Sequence, residues 1–428
     1  MPDRKLKIAI AGGGIAGLAL AAGLIKKQHL EVRVYESVAA YKDIGAGLAL
    51  HMNAIKAMML LGPEVRQAYL DKALTMVEDE EKEMVTEVVL AQGPHKGQLV
   101  AELGRAKGRK TVSRADLLEG VLGLLPEGTV EFGKKVKEIE ERSDGNDDGG
   151  YAVHVTFVDC TEVEADVLIG ADGIHSPTRS YLLGADHPAT EPKNHDGWQI
   201  YRTMVPVKEA VKHINPKWTT TVPILLGPRG HVNCIPLNKN TRLSAGVAVR
   251  GKQFLTDGKL DPEWYSDYSE DAQQIVRLVA KDTSASWKAA DHDHAPFYSK
   301  GQVCIMGDAA HASLPFAGNG AAQALEDAAV LDALFAHVTK PGQIEMALKA
   351  YDEVRRPRSQ MVVEIARRFG RVYAYAEEEG RMHEDPEKMR KFFGEMGKVT
   401  NEFDVKGQNA RAVRMFVELS RKGEGIDE

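Results

Sequence analysis

The chain has 428 residues, 43% hydrophobic and 27% charged, an ordinary globular balance with length enough for two or three domains. Its net charge of −7 excludes a general nucleic-acid binder, which carries a basic surplus, although a local basic pocket for an anionic ligand remains open. Cys160, Cys234 and Cys304 are too few and too widely spaced for a zinc site or a disulfide framework, so no metal centre and a reducing, cytoplasmic setting are expected.

Lys7-Ile8-Ala9-Ile10-Ala11 reads as an apolar strand that enters Gly12-Gly13-Gly14-Ile15-Ala16-Gly17 and then a helix from Ala16 to Lys27. In Gly12-x-Gly14-x-x-Gly17 the first glycine allows the tight turn. The second lets backbone approach a pyrophosphate, and the third lets helix and strand pack closely. The helix N-terminus offers unpaired N–H groups to the anion. Val32-Arg33-Val34-Tyr35 is a second strand, and it ends at Glu36, the offset of a carboxylate that holds an adenosine ribose hydroxyl. The uncharged run from Ile8 to Ile25 follows Arg4, Lys5 and Lys7, and has the outline of a signal peptide or membrane span. Its glycines sit where a nucleotide loop needs them, and cleavage would strip the loop from Glu36. No other segment is long and apolar enough to span, so no membrane partner is expected.

Ile44 to Leu50 places Gly45, Gly47 and Ala49 on one face, where a flat ligand or another backbone can come close. Asn53 to Leu61 predicts a helix stopping at Gly62. Val85 to Leu103 reads as strands joined by a turn, and Ser113 as the N-cap of a helix that begins with Arg114. A cation there gains nothing from the helix dipole. Val136 to Ile139 and Tyr151 to Val158 form a hairpin with an exposed polar tip, Ser143 to Gly150. Val167-Leu168-Ile169 is a buried strand that delivers Asp172-Gly173. From Leu183 to Pro296, strands at Trp198–Val205, Thr219–Leu226, His231–Pro236 and Arg242–Val249 predict a mostly antiparallel sheet. Val303 to Met306 is a further buried strand leading to Gly307-Asp308. Pro315, Gly318, Asn319 and Gly320 then feed a helix from Ala321. The chain is helical after Pro357 and ends in a charged, frayed tail, Arg421 to Glu428.

Three segments set the identity: Gly12 to Gly17; Ala165 to Gly173 with Ser176 and Arg179; and Gly307-Asp308-Ala309-Ala310-His311. In this order and spacing they resemble the FAD-dependent aromatic hydroxylases, the single-component flavoprotein monooxygenases. The likeness runs from the first strand to about Arg358. Tyr201-Arg202, Gly307 to Ser313 and Gln323 to Ala328 carry a closer likeness to the salicylate hydroxylase branch. The resemblance implies an α/β chain with a Rossmann-like FAD-binding domain of the GR2 type. Its first part is 1–182, with small substrate-domain strands near 76–103. An inserted, mostly antiparallel substrate sheet follows at 183–296, then a second FAD-binding part at 297–370 and a C-terminal helical segment at 371–428.

Only one dinucleotide loop is present, so FAD is the expected bound cofactor and NADH or NADPH a transient co-substrate. The resemblance assigns Glu36 to the adenosine ribose, Gly12, Gly14 and Gly17 to the pyrophosphate, and Arg114 to the ribityl and pyrophosphate region. Asp308 takes a ribityl hydroxyl or a pyrophosphate-linked contact, and Gly47, Ala49 and Asp172 lie along the cofactor. Asn319, Gly320, Ala321 and Ala322 border the flavin's pyrimidine edge, where backbone N–H groups stabilise the charge of the reduced ring. The implied chemistry is reduction by NAD(P)H, addition of O₂ at flavin C4a, and transfer of the hydroperoxide's distal oxygen to an electron-rich small aromatic. On salicylate this expels CO₂ and yields catechol.

Candidate substrate groups lie in the sheet. Arg202 interrupts an apolar strand and either faces solvent or anchors a carboxylate or phenolate. His231 is either a turn histidine or a relay for a phenolic proton. Arg250 is a further carboxylate candidate, and Pro315 and Phe316 are expected to wall the ring. Ile235 stands where relatives that dearomatise phenols carry Tyr. Phe316-Ala317 replaces the His-Gln pair of many salicylate-type relatives. The His292 and His294 loop, with Asp291 and Asp293, is expected to be solvated, and His311 to be structural. Two alternatives remain: a hydroxylase of a phenolic secondary metabolite, and an FAD reductase or dehydrogenase that needs no oxygen. Both monomer and homodimer are compatible with the chain.

Overall fold

A computed structural model describes residues 4–41, 47–142, 153–251, 259–377 and 381–423. Gly45, the Ser143 to Gly150 tip and the last residues of the charged tail lie outside them. Arg421 and Lys422 close a helix, Val405–Gly423, so the expected fraying does not begin at Arg421.

Leu6–Ala11 forms the middle of a six-stranded sheet, because both of its faces are apolar and need cover. Leu30–Glu36 and Val130–Phe132 lie parallel on one side of it, and Val167–Gly170 and Val303–Ile305 on the other. Ser299–Lys300 closes that edge antiparallel. The helix Ile15–Leu24 is buried along nearly its whole length, which explains why it carries no charge. It packs against the equally buried helix Gly320–Phe335.

The glycine loop explains this close packing. Gly12 has φ +105°, and a Cβ there would lie 2.2 Å from the Ala171 carbonyl oxygen. A Cβ on Gly17 would lie 2.0 Å from the Gly12 carbonyl oxygen. Gly17→Ala is therefore expected to cost about 1–3 kcal/mol through overpacking. Thermal unfolding of the apoprotein checks this, and an unchanged midpoint would show that the loop can give way.

The second sheet has seven strands, in the order Ser286–Lys288, Trp198–Pro206, Arg242–Arg250, Gly230–Leu237, Val222–Gly227, Glu83–Leu90 and Leu99–Lys107. All pairs are antiparallel except Val222–Gly227 with Glu83–Leu90. One face carries Tyr201, Val232, Cys234 and Val247 and is covered by the helix Glu270–Ala280. The sequence reading missed that helix, although Ser269 caps it by accepting from the Ala272 N–H. The other face carries Trp198, Leu226 and Ala248, and packs against Phe316, Phe369, Tyr373 and Phe393.

Two further elements differ from expectation, and the expected C-terminal helices are present. Pro63–Lys72 is a helix that starts directly at Gly62, with Pro63 at its first position. Ile344–Tyr373 runs as one helix through Pro357. Pro386–Asn401 caps the aromatic cluster, while Val405–Gly423 packs back on the helices of the first sheet. Among the described residues no helix is long and apolar enough to cross a membrane, and no group of three or more His, Cys, Asp or Glu is placed to hold a metal.

Candidate active site

The four parallel strands Leu6–Ala11, Leu30–Glu36, Val167–Gly170 and Val303–Ile305 end on one edge of the sheet. They deliver Gly12, Glu36, Asp172 and Asp308 there, the edge where open α/β sheets bind ligands. Glu36 is buried, and its carboxylate accepts from the Gly13 N–H at 2.6 Å and the Val38 N–H at 2.9 Å. The Tyr41 hydroxyl donates to the Gly13 carbonyl at 2.6 Å. Its ionisation is pushed up by burial and by Glu36, and opposed by Arg114, so Arg114 shares this corner. Tyr41 was not singled out from the sequence, where nothing marks it.

In front of the loop there is room. A Cβ on Gly14 would meet nothing within 4 Å. Asp308 is exposed among buried neighbours, begins a short helix capped by Gly307, and its carboxylate has no hydrogen-bond partner among the described residues. Gly318 adopts the left-handed turn at φ +60°, and Asn319 leads the helix Gly320–Phe335 without capping it by side chain. That leaves the first N–H groups of this helix facing outward, with Gly320 and Ala321 half-buried. An extended diphosphate with a flat, anion-bearing ring fits these features: open backbone at Gly14, an unpaired carboxylate at Asp308 and unpaired donors after Asn319.

Behind the turn lies a buried polar network. Asn319 Oδ1 accepts from Asn53 at 3.2 Å and Gln323 at 2.9 Å, and its amide donates to Asn401 at 3.0 Å. Asn53 also donates to Glu326 at 2.8 Å. His311 is buried and lies 2.6 Å from Asp327, as a structural residue should. Arg179 is fully buried, with its guanidinium donating to the carbonyls of Ala189, Ala309, Ala310 and Asp293. Burial pulls it down to about 10. It ties the segment after Asp172 to the helix of Asp308.

The open face of the seven-stranded sheet looks toward this edge. Ile200, Ala248, His231 and Leu226 form one row across it, and Arg202, Gly246, Asn233, Ile224 and Val88 the next. The first row is buried under Phe316 and Tyr373, whereas Arg202, Asn233, Ile224, Met204 and Ile235 are half-buried, so this face is accessible from the second row outward. Arg202 is on this face and stacks 5.5 Å from the Trp287 ring of the edge strand. Burial pulls its pKa down, and it forms no ion pair among the described residues. A Cβ on Gly246 would lie 2.6 Å from Asn233 Oδ1, so the Asn233 amide spreads over that glycine.

The family described as an FAD binding domain matches residues 5–366. A 6-methylsalicylate 1-monooxygenase of Aspergillus terreus (strain NIH 2624 / FGSC A1156) is 33% identical over 98% of this chain and 94% of its own length. A salicylate hydroxylase of Pseudomonas putida is 32% identical over 86% of both chains. A solved salicylate hydroxylase substrate complex superposes with a TM-score of 0.80 at 27% identity, covering 96% of this chain and 98% of that one.

The chain belongs to the FAD-dependent aromatic monooxygenases. It is an enzyme that uses FAD, with NAD(P)H and O₂ as co-substrates, which sets aside the oxygen-independent dehydrogenase.

Within this monooxygenase several expected side chains stand differently from their sequence reading. His231 is buried between Trp198, Phe316 and Tyr373, its Nδ1 lacks a partner, and burial drives its ring down to about 3. Burial thus favours its neutral ring. Arg250 pairs with Asp196 at 2.9 Å and sits opposite Trp198, four residues along the strand from the partner of Arg202, so its charge already has a partner within the protein. Phe316 packs 4.4 Å from Trp198 inside the aromatic cluster, while Pro315 is exposed. Asp172 is occupied by the Thr178 N–H at 3.0 Å, the Thr178 hydroxyl at 2.7 Å and the Ser176 hydroxyl. Gly47 pairs with Ser113, and a Cβ on it would lie 2.9 Å from Leu237, so its small size serves packing between the two parts of the chain; Ala49 follows, half-buried. The Asp291 to His294 loop is solvated only in part: Asp291 is buried against Arg367 at 2.7 Å and His292 is buried as well, whereas Asp293 is half-buried and His294 exposed.

Proposed function

We propose that this monooxygenase hydroxylates a phenolic aromatic acid of the salicylate type, replacing the carboxyl group with hydroxyl and releasing CO₂. The observation that carries the reading is Arg202, a half-buried cation on the cavity face that forms no ion pair among the described residues. A buried charge without a partner is costly, and an anionic substrate offsets that cost. The relatives named for salicylate and 6-methylsalicylate support the same class. Residues 1–182 and 297–370 would hold FAD, through Gly12, Gly14 and Gly17 at the pyrophosphate, Glu36 at the adenosine ribose, and Arg114 and Asp308 along the ribityl chain. The N–H groups from Gly320 and Ala321 would meet the pyrimidine edge, with Gly47 and Ala49 alongside. The bound FAD supplies the redox and oxygen-transfer chemistry. The strands of 183–296 present the substrate, with Asn233 able to take a hydrogen bond from a phenol. Ile224, Ile235 and Met204 exclude water.

A second reading, a larger phenolic secondary metabolite, is favoured by the same apolar residues around Arg202. We also propose a cytoplasmic enzyme, monomeric or homodimeric, on the support of three free thiols. Substrate-stimulated NAD(P)H oxidation and O₂ uptake, screened over phenolic acids with catechol and CO₂ as products, test the reading. It fails if only phenols without a carboxylate stimulate turnover. Arg202→Ala is expected to raise KM by about 2–5 kcal/mol in binding terms, and Arg202→Lys by less, because charge survives but the planar fork is lost. Unchanged kinetics would place Arg202 in solvent contact only.

A further inference from the structure

The strand Lys110–Ser113 lies between Gly47–Leu48 and Leu74–Thr75 and has an arginine at each end. Arg114, just after it, shares the corner of Glu36, Gly13 and Tyr41, where the nucleotide loop begins. Arg109, just before it, stands beside the turn at Gly318. A Cβ on Gly104 would lie 3.5 Å from both Arg109 Nη2 and His51 Cε1, and a Cβ on Gly318 would lie 3.9 Å from His51 Nε2. His51 precedes the helix Met52–Leu61, and Asn53 in its first turn donates to Asn319 at 3.2 Å. The two arginines are five residues apart, on the order of 17 Å in extended chain. The strand therefore runs from the pyrophosphate end of the cofactor edge to its ring end.

Arg109 is half-buried, and no acid side chain pairs with it among the described residues. Its Nη1 donates to the Thr86 hydroxyl at 2.8 Å, which fixes the guanidinium without neutralising it. Burial pulls its pKa down, and the Tyr69 phenol opposes this. Burial and the Arg109 charge push His51 down to about 4, so that ring adds no second charge at neutral pH. A cation removed from bulk water acts over a longer range, because less solvent screens it. The bound cofactor gains an anion at this end during turnover. A hydride from NAD(P)H brings two electrons and one proton to the neutral oxidised ring, which leaves NAD(P)⁺ and a reduced ring with one negative charge.

We infer that Arg109 is the protein's counter-charge to reduced FAD: it holds the reduced cofactor more tightly than the oxidised one and so raises the reduction potential of the bound flavin. Thr86 is its positioning residue. The N–H groups at the start of Gly320–Phe335 would act on the same end of the ring through partial charges, and Arg109 supplies a whole one. The inference rests on FAD as the cofactor and not on the aromatic-acid reading, so it is tested with no aromatic compound present.

The midpoint potential of the FAD-loaded enzyme, read by equilibration with a redox dye during slow reduction, reports the ratio of affinities for the two forms of the cofactor. Arg109→Gln is expected to weaken reduced FAD against oxidised FAD by about tenfold, which lowers the potential by about 30 mV for a two-electron couple. Titration of the apoprotein with oxidised FAD should change by less than about twofold in the same variant. Arg109→Lys keeps the charge and should restore the affinity ratio to within about twofold of wild type. Thr86→Val should lie between wild type and Arg109→Gln, and it carries the test should Arg109→Gln fold poorly. An unchanged potential in the variant that carries the test overturns the assignment. So does an equal loss of affinity for both redox forms, which would make Arg109 a tether for the neutral parts of the cofactor. A wild-type potential combined with weaker binding of aromatic acids overturns it as well, and gives the guanidinium to the substrate.

Discussion

Arg355→Met is expected to cost about 3–5 kcal/mol of stability, a large fraction of what holds a domain together. Arg355 is completely buried and meets Asp327 and Glu326, each at 2.6 Å and each completely buried. It also reaches the Gln408 side chain at 3.0 Å and the Gln323 side chain at 2.9 Å. The one guanidinium thereby joins three helices, Gly320–Phe335, Ile344–Tyr373 and Val405–Gly423. Burial opposes the ionisation of Asp327, but His311 and Arg355 outweigh it and hold that carboxyl at about 2. Removing the arginine leaves two carboxylates in the core with Arg358 beside Glu326 and His311 beside Asp327 as their remaining partners. Urea unfolding of the apoprotein measures the effect. A loss below about 1 kcal/mol would mean that water or repacking replaces the arginine.

Asp308→Ala is expected to empty the enzyme of flavin while leaving the apoprotein's unfolding midpoint where it was. The two halves of this expectation share one cause. Asp308 is exposed and its carboxylate is spent on no protein group, so the apoprotein loses little when it is removed. A charge-assisted hydrogen bond to a cofactor hydroxyl is worth about 1.5–3 kcal/mol, or roughly a 10- to 100-fold weaker FAD dissociation constant. Asp308→Asn should fall between the two. Flavin content by absorbance, and FAD titration of the apoprotein, give the number. A variant that is purified yellow, with FAD bound as tightly as in wild type, would remove Asp308 from the cofactor site.

The nucleotide loop was legible because its requirements are local. Gly12 must turn with positive φ and Gly17 must clear the Gly12 carbonyl, so glycine is demanded at fixed spacing. Ser113 was likewise legible as a cap, since its hydroxyl needs only the Asp116 N–H three residues on, at 3.0 Å. The large sheet was visible from strand alternation, and Asn233 could have been found there, as it shares a face with His231 two residues away.

The sequence by itself determined the strand–loop–helix unit, the order of the three motifs and hence the cofactor, because these follow from spacing along one stretch of backbone. Tertiary structure alone decided which polar groups are free for a ligand. His231 and Arg250 look as available in the sequence as Arg202 does. Yet His231 is desolvated by Trp198, Phe316 and Tyr373, and Arg250 is neutralised by Asp196, a residue 54 positions away. A side chain's charge state and its spare hydrogen bonds are set by what packs against it, and for these residues the packing partners come from distant strands and helices.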